Sequence, residues 1–387
     1  MSGDLAVRGT RPAGRGRPTS RRALRGWLLT GVAAVGFLLS ALVVSVYLDA
    51  AFGVQTALLA LAVALVPLGI VIPTFMWLDR FESEPTRYLV GAFLWGALVA
   101  AVVAALFNTG AIAVLEAASD PQSALQTASV LVAPFVEEAA KGALVVLVFL
   151  LARREFDGVT DGMVYAGICA AGFAFTENIQ YLAQAYSEGG GEALTGTFVA
   201  RCLLSPFAHP MFTVMFGIGV GVAATSRTWL PRILAPLLGY LLAVLAHALW
   251  NLAAVSGGRG MVAVYLLVEV PIFLAFIGFV VWARRREGRL IGQFLSPYAD
   301  AGWLSRAEVR MLSSMPARRE ARAWARTNTG RSGLAAMRSF QDSASELALL
   351  RRRMHHSAAD ADALAQEREL LEDLRARRAE FVGMPGG

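Results

Sequence analysis

The sequence predicts an all-α, polytopic membrane protein, and three observations support this fold class. Hydrophobic residues make up 56% of the 387-residue chain, and its mean hydropathy is +0.54. Soluble domains contain only about 45–50% apolar residues. Apolar stretches long enough to cross a bilayer recur between residues 27 and 283. Positive charge is concentrated at the two ends, with seven Arg against one Asp in residues 1–26 and nineteen Arg against thirteen acids in residues 284–387.

The elements follow in chain order. Residues 1–26 are rich in Arg, Gly, Pro and Thr, which predicts a disordered basic cytoplasmic tail. We expect about eight transmembrane helices in the membrane domain, residues 27–283. Their predicted bounds are Trp27–Tyr47, Thr56–Trp77, Tyr88–Phe107, Ala128–Leu151, Val159–Tyr186, Gly196–Ala224, Leu230–Val255 and Met261–Trp282. Residues 284–387 are rich in Ala, Arg and Glu and predict a helical cytoplasmic tail that regulates or docks.

Arginine placement predicts the orientation of these helices. On one side of the predicted membrane lie Arg80, Arg87, Arg153, Arg154, Arg227, Arg232 and Arg284–Arg286. In the loops on the other side, Arg259 is the only basic residue. Since cytoplasmic loops carry the excess of Arg and Lys, both termini are predicted to be cytoplasmic. The basic ends favour contact with anionic membrane lipid over nucleic-acid binding, and two cysteines in apolar stretches exclude a disulfide framework.

Three ionisable residues interrupt the fourth predicted helix. Glu137, Glu138 and Lys141 lie in a stretch that is otherwise apolar from Val130 to Leu151. Lys141 is the only lysine of the chain. Charged groups at membrane depth are costly and mark a functional site or a paired structural cluster. At 3.6 residues per turn, Lys141 shares a face with Glu137 and also lies near Glu138. A buried ion pair that only holds helices together is the structural alternative.

Other polar residues fall at a similar depth in later helices. These are Glu177 and Asn178 in the fifth helix, His209 in the sixth, and His247 with Asn251 in the seventh. At ~1.5 Å rise per residue, Glu137, Glu177, His209 and His247 lie about 21 to 27 Å from the predicted inner ends. Prolines flank His209 and precede Glu137, and such backbone breaks are tolerated in membranes where they line a cavity. We therefore predict a water-accessible polar pocket, in the outer half of the membrane, between the fourth and seventh helices.

These residue types suit peptide hydrolysis. A glutamate beside a histidine can take a proton from water, and a second histidine with an asparagine can stabilise an oxyanion. The same groups could hold a divalent metal such as zinc, with His209, His247 and either Glu137 or Glu177 as ligands. No H-E-x-x-H motif occurs. The one-turn spacing of His247 and Asn251 favours the metal-free form, and both forms stay open.

The ordered set of motifs resembles the PrsW family of intramembrane proteases, which is related to CAAX prenyl proteases and bacteriocin-processing enzymes. The set consists of Glu137-Glu138-x-x-Lys141, Phe173-x-x-x-Glu177-Asn178, His209 and His247-x-x-x-Asn251. The loop from Asp79 to Pro85 is similar to the segment that precedes the family's core. The resemblance covers residues 75–255. It departs from the CAAX pattern at Glu177, where that pattern has histidine.

The resemblance implies a bacterial plasma-membrane peptidase that cleaves a single-span membrane protein, such as an anti-sigma factor. It implies that Glu137 is the base and His209 its partner, and that His247 and Asn251 donate to the oxyanion. Glu177 would join the water site, whereas Glu138 and Lys141 would orient Glu137. Two other classes of protein remain as alternatives. One is a proton-coupled secondary transporter, which more often shows internal repeats, and the other is a non-catalytic membrane scaffold.

Overall fold

A computed structural model describes residues 20–81, 84–152, 156, 158–356 and 361–382. These residues contain helices and no strand, which confirms the predicted all-α class. The helices are α1 Ser20–Phe52, α2 Val54–Leu78, α3 Thr86–Leu94, α4 Ala101–Glu116, α5 Pro121–Thr127, α6 Ala133–Leu151, α7 Val159–Phe198, α8 Ala208–Thr225, α9 Trp229–Ser256, α10 Gly258–Val264, α11 Val270–Asp300, α12 Arg306–Leu312, α13 Met315–His356 and α14 Ala361–Val382. Short π-helical stretches join four pairs of them, at Trp95–Ala100, Ala128–Val132, Val199–Leu204 and Tyr265–Glu269.

Six helical segments of the described chain are long and apolar enough to cross a membrane. They are Gly31–Phe52, Val54–Leu78, Thr86–Glu116, Val159–Thr225, Trp229–Ser256 and Gly260–Asp300. The difference from the predicted eight has two causes. The segment Val159–Thr225 contains two of the predicted helices in one continuous run. The segment with Glu137, Glu138 and Lys141 contains three charged residues and is not among the six. The chain is thus a multi-pass membrane protein.

Some predicted features fall outside the described residues. These are residues 1–19 of the N-terminal tail, together with Glu82, Ser83, Arg153 and Arg154. Helix α1 begins at Ser20, within the predicted tail, and α11 continues through the predicted domain boundary at residue 283. The orientation of the helices in the membrane stays a prediction.

Close packing of α7 against α8 fixes the relative position of the helices that carry Glu177 and His209. A Cβ added at Gly217 would lie 2.1 Å from the backbone oxygen of Gly162, and one at Gly221 would lie 2.5 Å from that of Gly158. Only glycine permits this approach of the two backbones. The glycines of α8 thus form its packing face toward α7. The chain breaks just before α8, at Ser205–Phe207, so that His209 is the second residue of that helix.

The C-terminal helices form a second hydrophobic core. Buried residues of α11, α13 and α14, including Leu295, Phe340 and Leu374, pack together there. Phe81, from the loop after α2, inserts its ring into this core. The guanidinium of Arg318 is fully buried beside it, with its carbon 4.9 Å from the centre of the Phe81 ring. The tail is therefore packed against the loop that follows α2 in the membrane domain.

Candidate active site

Helix α6 supplies two buried carboxylates and a buried amine. Glu138 and Lys141 are fully buried, and Glu137 is 5% exposed. The Lys141 Nζ donates to Glu138 Oε1 at 2.6 Å and lies 4.5 Å from the centre of the Phe173 ring. The structure confirms that Lys141 pairs with a carboxylate of its own helix. The partner is Glu138, one turn away, and not Glu137.

Glu138 accepts hydrogen bonds from three helices. Besides Lys141, the Thr213 hydroxyl donates to Oε2 at 2.8 Å, and His247 Nδ1 lies 2.9 Å from Oε1. An ionised carboxylate can only accept, so His247 Nδ1 carries the hydrogen in this network. The Nε2 of His247 then has a free lone pair. Glu138 therefore fixes both the orientation and the tautomer of His247.

Glu137 faces that lone pair. Its Oε1 accepts a hydrogen bond from Asn108 Nδ2 at 3.1 Å, whereas its Oε2 lies 3.6 Å from His247 Nε2. The second distance is within ion-pair range but too long for a hydrogen bond. Glu137 Oε2 is thus a buried acceptor without a hydrogen-bond partner among the described residues. Buried acceptors of this kind are uncommon and call for a functional explanation.

His209 lies beside the same cluster. Its Nε2 is 2.6 Å from Glu177 Oε2, its Nδ1 is 3.3 Å from Lys141 Nζ, and its ring centre is 5.0 Å from that of His247. The resemblance implied that His209 would partner Glu137. In the structure the histidine that pairs with Glu137 is His247, and His209 pairs with Glu177. Glu177 thus belongs to the cluster, as its depth predicted.

Arg201 closes the cluster on the side of Glu177. It donates through Nη2 to Glu177 Oε2 at 2.5 Å and through Nε to Asn178 Oδ1 at 2.9 Å. Its guanidinium carbon also lies 4.0 Å from the centre of the Tyr181 ring. Glu177 is therefore held between a guanidinium and an imidazole.

Asn251 makes a contact that the sequence did not predict. It lies one turn after His247 on α9, and its Nδ2 donates to the carbonyl oxygen of Ser129 at 2.8 Å. This bond ties α9 to the π-helical stretch that precedes α6. One amide hydrogen of Asn251 remains beyond this contact, so its role as an oxyanion donor stays a prediction.

Residues from five α-helices, namely α4 and α6 to α9, and from the π-helical stretch Val199–Leu204 thus converge. The structure brings Glu137, Glu177, His209 and His247 together, as their depth predicted. The access of water to the cluster and the catalytic roles stay predictions. Three members were missed, namely Asn108, Arg201 and Thr213. An arginine inside a predicted span is itself a signal of a functional or paired site, and Thr213 lies four residues after His209 on the same helical face. Asn108 directly follows the predicted end of its helix at Phe107, where a polar residue gives no signal.

The cluster fits a metal site of the histidine and carboxylate kind. Glu137, His209 and His247 each offer one ligand atom, and these atoms all lie within 4.8 Å of one another. Two features favour this use. Glu137 Oε2 is unpartnered, and His247 Nδ1 is held by a carboxylate as in many metal-ligating histidines. His209 would give up its contact with either Glu177 or Lys141 to become a ligand.

Comparison of the sequence with known proteins points to one family. The model of the PrsW family intramembrane metalloproteases matches residues 84–276. "Protease PrsW" of Geobacillus kaustophilus is 31% identical over 156 residues, which are 40% of this chain and 63% of that protein. "Protease PrsW" of Clostridioides difficile is 32% identical over 139 residues, 36% of this chain and 55% of that protein. The chain thus spans about 55 to 63% of the length of the curated relatives it matches. No solved structure matches at a significant level. Through residues 84–276, the chain belongs to the PrsW family.

Proposed function

We propose that this protein is an intramembrane endopeptidase that hydrolyses a membrane-anchored protein with a water activated by glutamate and histidine. The observation that carries the proposal is the pairing of Glu137 and His247. A carboxylate oxygen without a hydrogen bond faces an imidazole nitrogen with a free lone pair, 3.6 Å away, at buried positions of two membrane helices. The family match favours this function over a transporter or a scaffold.

In the proposed reaction Glu137 is the base. Its Oε2 takes a proton from water as the water oxygen bonds to the scissile carbonyl carbon. The C–N bond then breaks, and Glu137 passes the proton to the leaving amine nitrogen. The Nε2 of His247 orients the water from the other side, and Glu138 holds that imidazole through Nδ1. Lys141 supports Glu138 in its ionised form.

The remaining members of the cluster act around this pair. The negative charge on the carbonyl oxygen needs a hydrogen-bond donor. We propose Asn251 for that role, through its second amide hydrogen, as the resemblance implies. Glu177 and Arg201 position His209, which lies against the ring of His247. The acid–base groups are buried among five α-helices. Bulk water therefore does not compete for the hydrogen bonds between them.

We propose a metal-bound form of the same site as the second candidate, in which Glu137, His209 and His247 would hold a divalent ion and Glu137 would be a ligand instead of the base. Such an ion, when bound, would act as a Lewis acid toward water and the scissile carbonyl. Elemental analysis of the purified protein separates the two forms without an activity assay. The metal-bound form predicts about one equivalent of metal in the wild type and loss of it in His247→Ala. Active protein without stoichiometric metal, and insensitive to chelator, would establish the metal-free glutamate form instead.

The proposed substrate and membrane come from the family resemblance, and the proposed orientation comes from the predicted topology. We propose a bacterial plasma-membrane protein with both termini in the cytoplasm, acting on a single-span membrane protein such as an anti-sigma factor. Because the polar residues are predicted toward the outer half of the membrane, the cut should fall there or just outside it. The orientation and the side of the cut rest on the positive-inside pattern of the loops.

Comparative membrane proteomics tests the proposed function. Cells that express the wild type are compared with cells that express Glu137→Gln, which retains the side-chain volume and removes the base. We expect a single-span protein to accumulate at full length in the variant. Glu320→Gln, at an exposed position of the tail, is the matched control and should resemble the wild type. Identical membrane proteomes in all three strains would refute the proposal.

A further inference from the structure

A basic cavity lies where the tail meets the membrane domain. It has a volume of about 530 Å³ and is bounded by the end of α2, by α11 and by the turn between α12 and α13. Its lining includes Arg284, Arg285 and Arg289, and none of the described residues that line it is acidic. The residues of the acid–base cluster do not line it either. It is therefore a second site, with room for a small organic group.

The three arginines of the cavity have no carboxylate partner in the described part of the chain. Arg284 is fixed by Trp77, because its Nη1 donates to the Trp77 carbonyl oxygen at 2.6 Å and its guanidinium carbon lies 3.7 Å from the centre of the ring. Only one of its five N–H groups is used in that hydrogen bond. Arg80 and Arg319 add positive charge near Arg284, whereas Glu287 adds negative charge. The positive charge of the cavity thus exceeds the negative charge around it.

One side of the cavity is apolar. Val281 and Trp77 line it and are 36% and 39% exposed. Val281 lies about one turn before Arg284 and Arg285 on α11, so the apolar and basic side chains share one face of that helix. Trp77 ends the second predicted span, and tryptophan is enriched where hydrocarbon meets the headgroups. The arginines are therefore predicted to lie at the level of the headgroups, with apolar groups beside them.

The tail contributes a hydroxyl to the same cavity. Ser314 lines it, and its Oγ accepts a hydrogen bond from the backbone nitrogen of Ala317 at 3.5 Å. The hydroxyl hydrogen of Ser314 can donate to a ligand. Close packing holds the tail at this place, since a Cβ added at Gly288 would lie 2.6 Å from the backbone oxygen of Ser313. A ligand in the cavity would therefore contact the membrane domain and the tail together.

We propose that this cavity binds the headgroup of an anionic phospholipid with two phosphodiester groups, as in cardiolipin, from the leaflet that is predicted to be cytoplasmic. Guanidinium groups bind phosphate oxygens through pairs of parallel hydrogen bonds. Basic pockets on the cytoplasmic side of membrane helices suit such headgroups. Two phosphates neutralise more of the three guanidinium charges than the single phosphate of phosphatidylglycerol does.

The two sides of the cavity together select a lipid over other ligands. A soluble phosphate would pair with the guanidiniums but would leave Val281 and Trp77 in contact with water. A lipid without net charge would cover the apolar side and leave the arginines without a counterion. An anionic phospholipid satisfies both sides. The proposal is independent of peptidase activity, because it concerns binding at a separate site.

Native mass spectrometry of the full-length protein tests the site. Cardiolipin is titrated against the wild type, against Arg285→Gln with Arg289→Gln, and against the control pair Arg87→Gln with Arg232→Gln. All four arginines are exposed and lie on the predicted cytoplasmic side, and each pair removes two charges. Arg284 is kept because it holds Trp77.

The expected loss of affinity differs between the two pairs. An arginine near anionic lipid is worth about 1 kcal/mol, so the cavity pair should weaken the tightest cardiolipin about 30-fold. The control pair should stay within about 3-fold of the wild type, because exposed charges beyond the cavity are screened. Equal affinities of the two double variants would overturn the proposal.

Two further titrations identify the source of the phosphate. Phosphatidylglycerol should bind the wild type more weakly than cardiolipin, and inorganic phosphate in large excess should not displace bound cardiolipin. Displacement by inorganic phosphate would show a site for soluble anions and overturn the assignment to a lipid. Equal affinity for the two lipids would overturn the requirement for two phosphates.

Hydrogen exchange of the wild type tests the contact with the tail without any substitution. The protein is placed in phosphatidylcholine nanodiscs with or without cardiolipin. We expect cardiolipin to slow exchange in residues 311–319, which include the turn at Ser314, and to leave α14 unchanged, since α14 does not line the cavity. In Arg285→Gln with Arg289→Gln this slowing should be lost. Exchange in residues 311–319 that does not respond to cardiolipin would contradict the proposal.

Discussion

Two regions of this protein bury a cation completely, and they surround it differently. Lys141 in the membrane domain and Arg318 in the tail each have no exposed surface. Lys141 pairs with the carboxylate of Glu138 and the imidazole of His209. Arg318 donates instead to neutral groups, namely the carbonyl oxygen of Leu312 at 2.8 Å and the hydroxyl of Ser345 at 2.6 Å.

The difference separates a site from a structural network. Burial lowers the pKa of the Arg318 guanidinium to about 10, which leaves it protonated at neutral pH. Its partners are a carbonyl oxygen and a hydroxyl, which carry no charge. The partners of Lys141 are ionisable side chains, and the same cluster contains a carboxylate oxygen without a hydrogen-bond partner. A buried charge therefore does not by itself mark chemistry, whereas a set of ionisable partners with an unused acceptor does.

The largest difference in cleavage is expected between two histidine variants, one in each region. His247→Ala removes the imidazole between Glu137 and Glu138 and should lower cleavage by ~10²–10⁴-fold, as for other acid–base groups. His355→Ala changes an exposed residue at the end of α13 and should leave cleavage unchanged. The rates are measured on purified proteins that insert equally well. Equal activity of the two variants would remove the distinction between the regions.

Lys141 and its replacements sharpen the comparison within the membrane. Lys141→Met leaves Glu138 buried without its countercharge, at a cost of about 3–5 kcal/mol. Lys141→Arg retains the charge and should lose less stability. Thermal unfolding in detergent and the yield of folded protein provide the measurement. If both variants match the wild type in stability and cleavage, the ion pair supports neither fold nor site.

Arg318→Met should damage only the tail. It leaves the Leu312 carbonyl without the Arg318 donor, and an unsatisfied buried group costs about 1–3 kcal/mol. We expect faster hydrogen exchange in α13, with cleavage retained, because the tail supplies none of the clustered residues. Arg318→Lys is the control that keeps the charge. Loss of cleavage as complete as in His247→Ala would show that the tail forms part of the active fold.

The smallest effect is expected at Thr213. Thr213→Val removes one of three donors to Glu138 at nearly constant volume. One hydrogen bond is worth about 0.5–1.5 kcal/mol, so cleavage should fall about 2- to 12-fold. Thr213→Ser keeps the hydroxyl and should restore the rate. If the Val and Ser variants are alike, the hydroxyl does not support Glu138.

Much of the site was predictable because membrane depth restricts polar residues so strongly. The segment Ala128–Leu151 appears as predicted, as a π-helical stretch that continues into α6. Helical spacing correctly predicted that Lys141 lies beside a carboxylate. The estimated depth in the membrane alone predicted that Glu177, His209 and His247 lie at the same height. These inferences needed only the 1.5 Å rise of a helix and the cost of charge in lipid.

The pairing within the site was not predictable. Which histidine faces Glu137 depends on the rotation of α8 and α9, and the break at Ser205–Phe207 sets the rotation of α8. Periodicity does not report such breaks. Asn108 was missed because its helix, α4, runs on to Glu116, beyond the predicted end at Phe107. These contacts depend on tertiary packing, which the local sequence pattern does not reveal.

Cleavage in a defined membrane tests the central claim most directly. Purified wild-type protein and Glu137→Gln are reconstituted in proteoliposomes with the single-span protein that accumulates in Glu137→Gln cells. The new N-terminus is then mapped by mass spectrometry. The account predicts a cut in the outer half of the substrate span, or just outside it, by the wild type and none by the variant. Undiminished cleavage by Glu137→Gln would contradict the assignment of the base, and a cut at the cytoplasmic end would contradict the depth of the site.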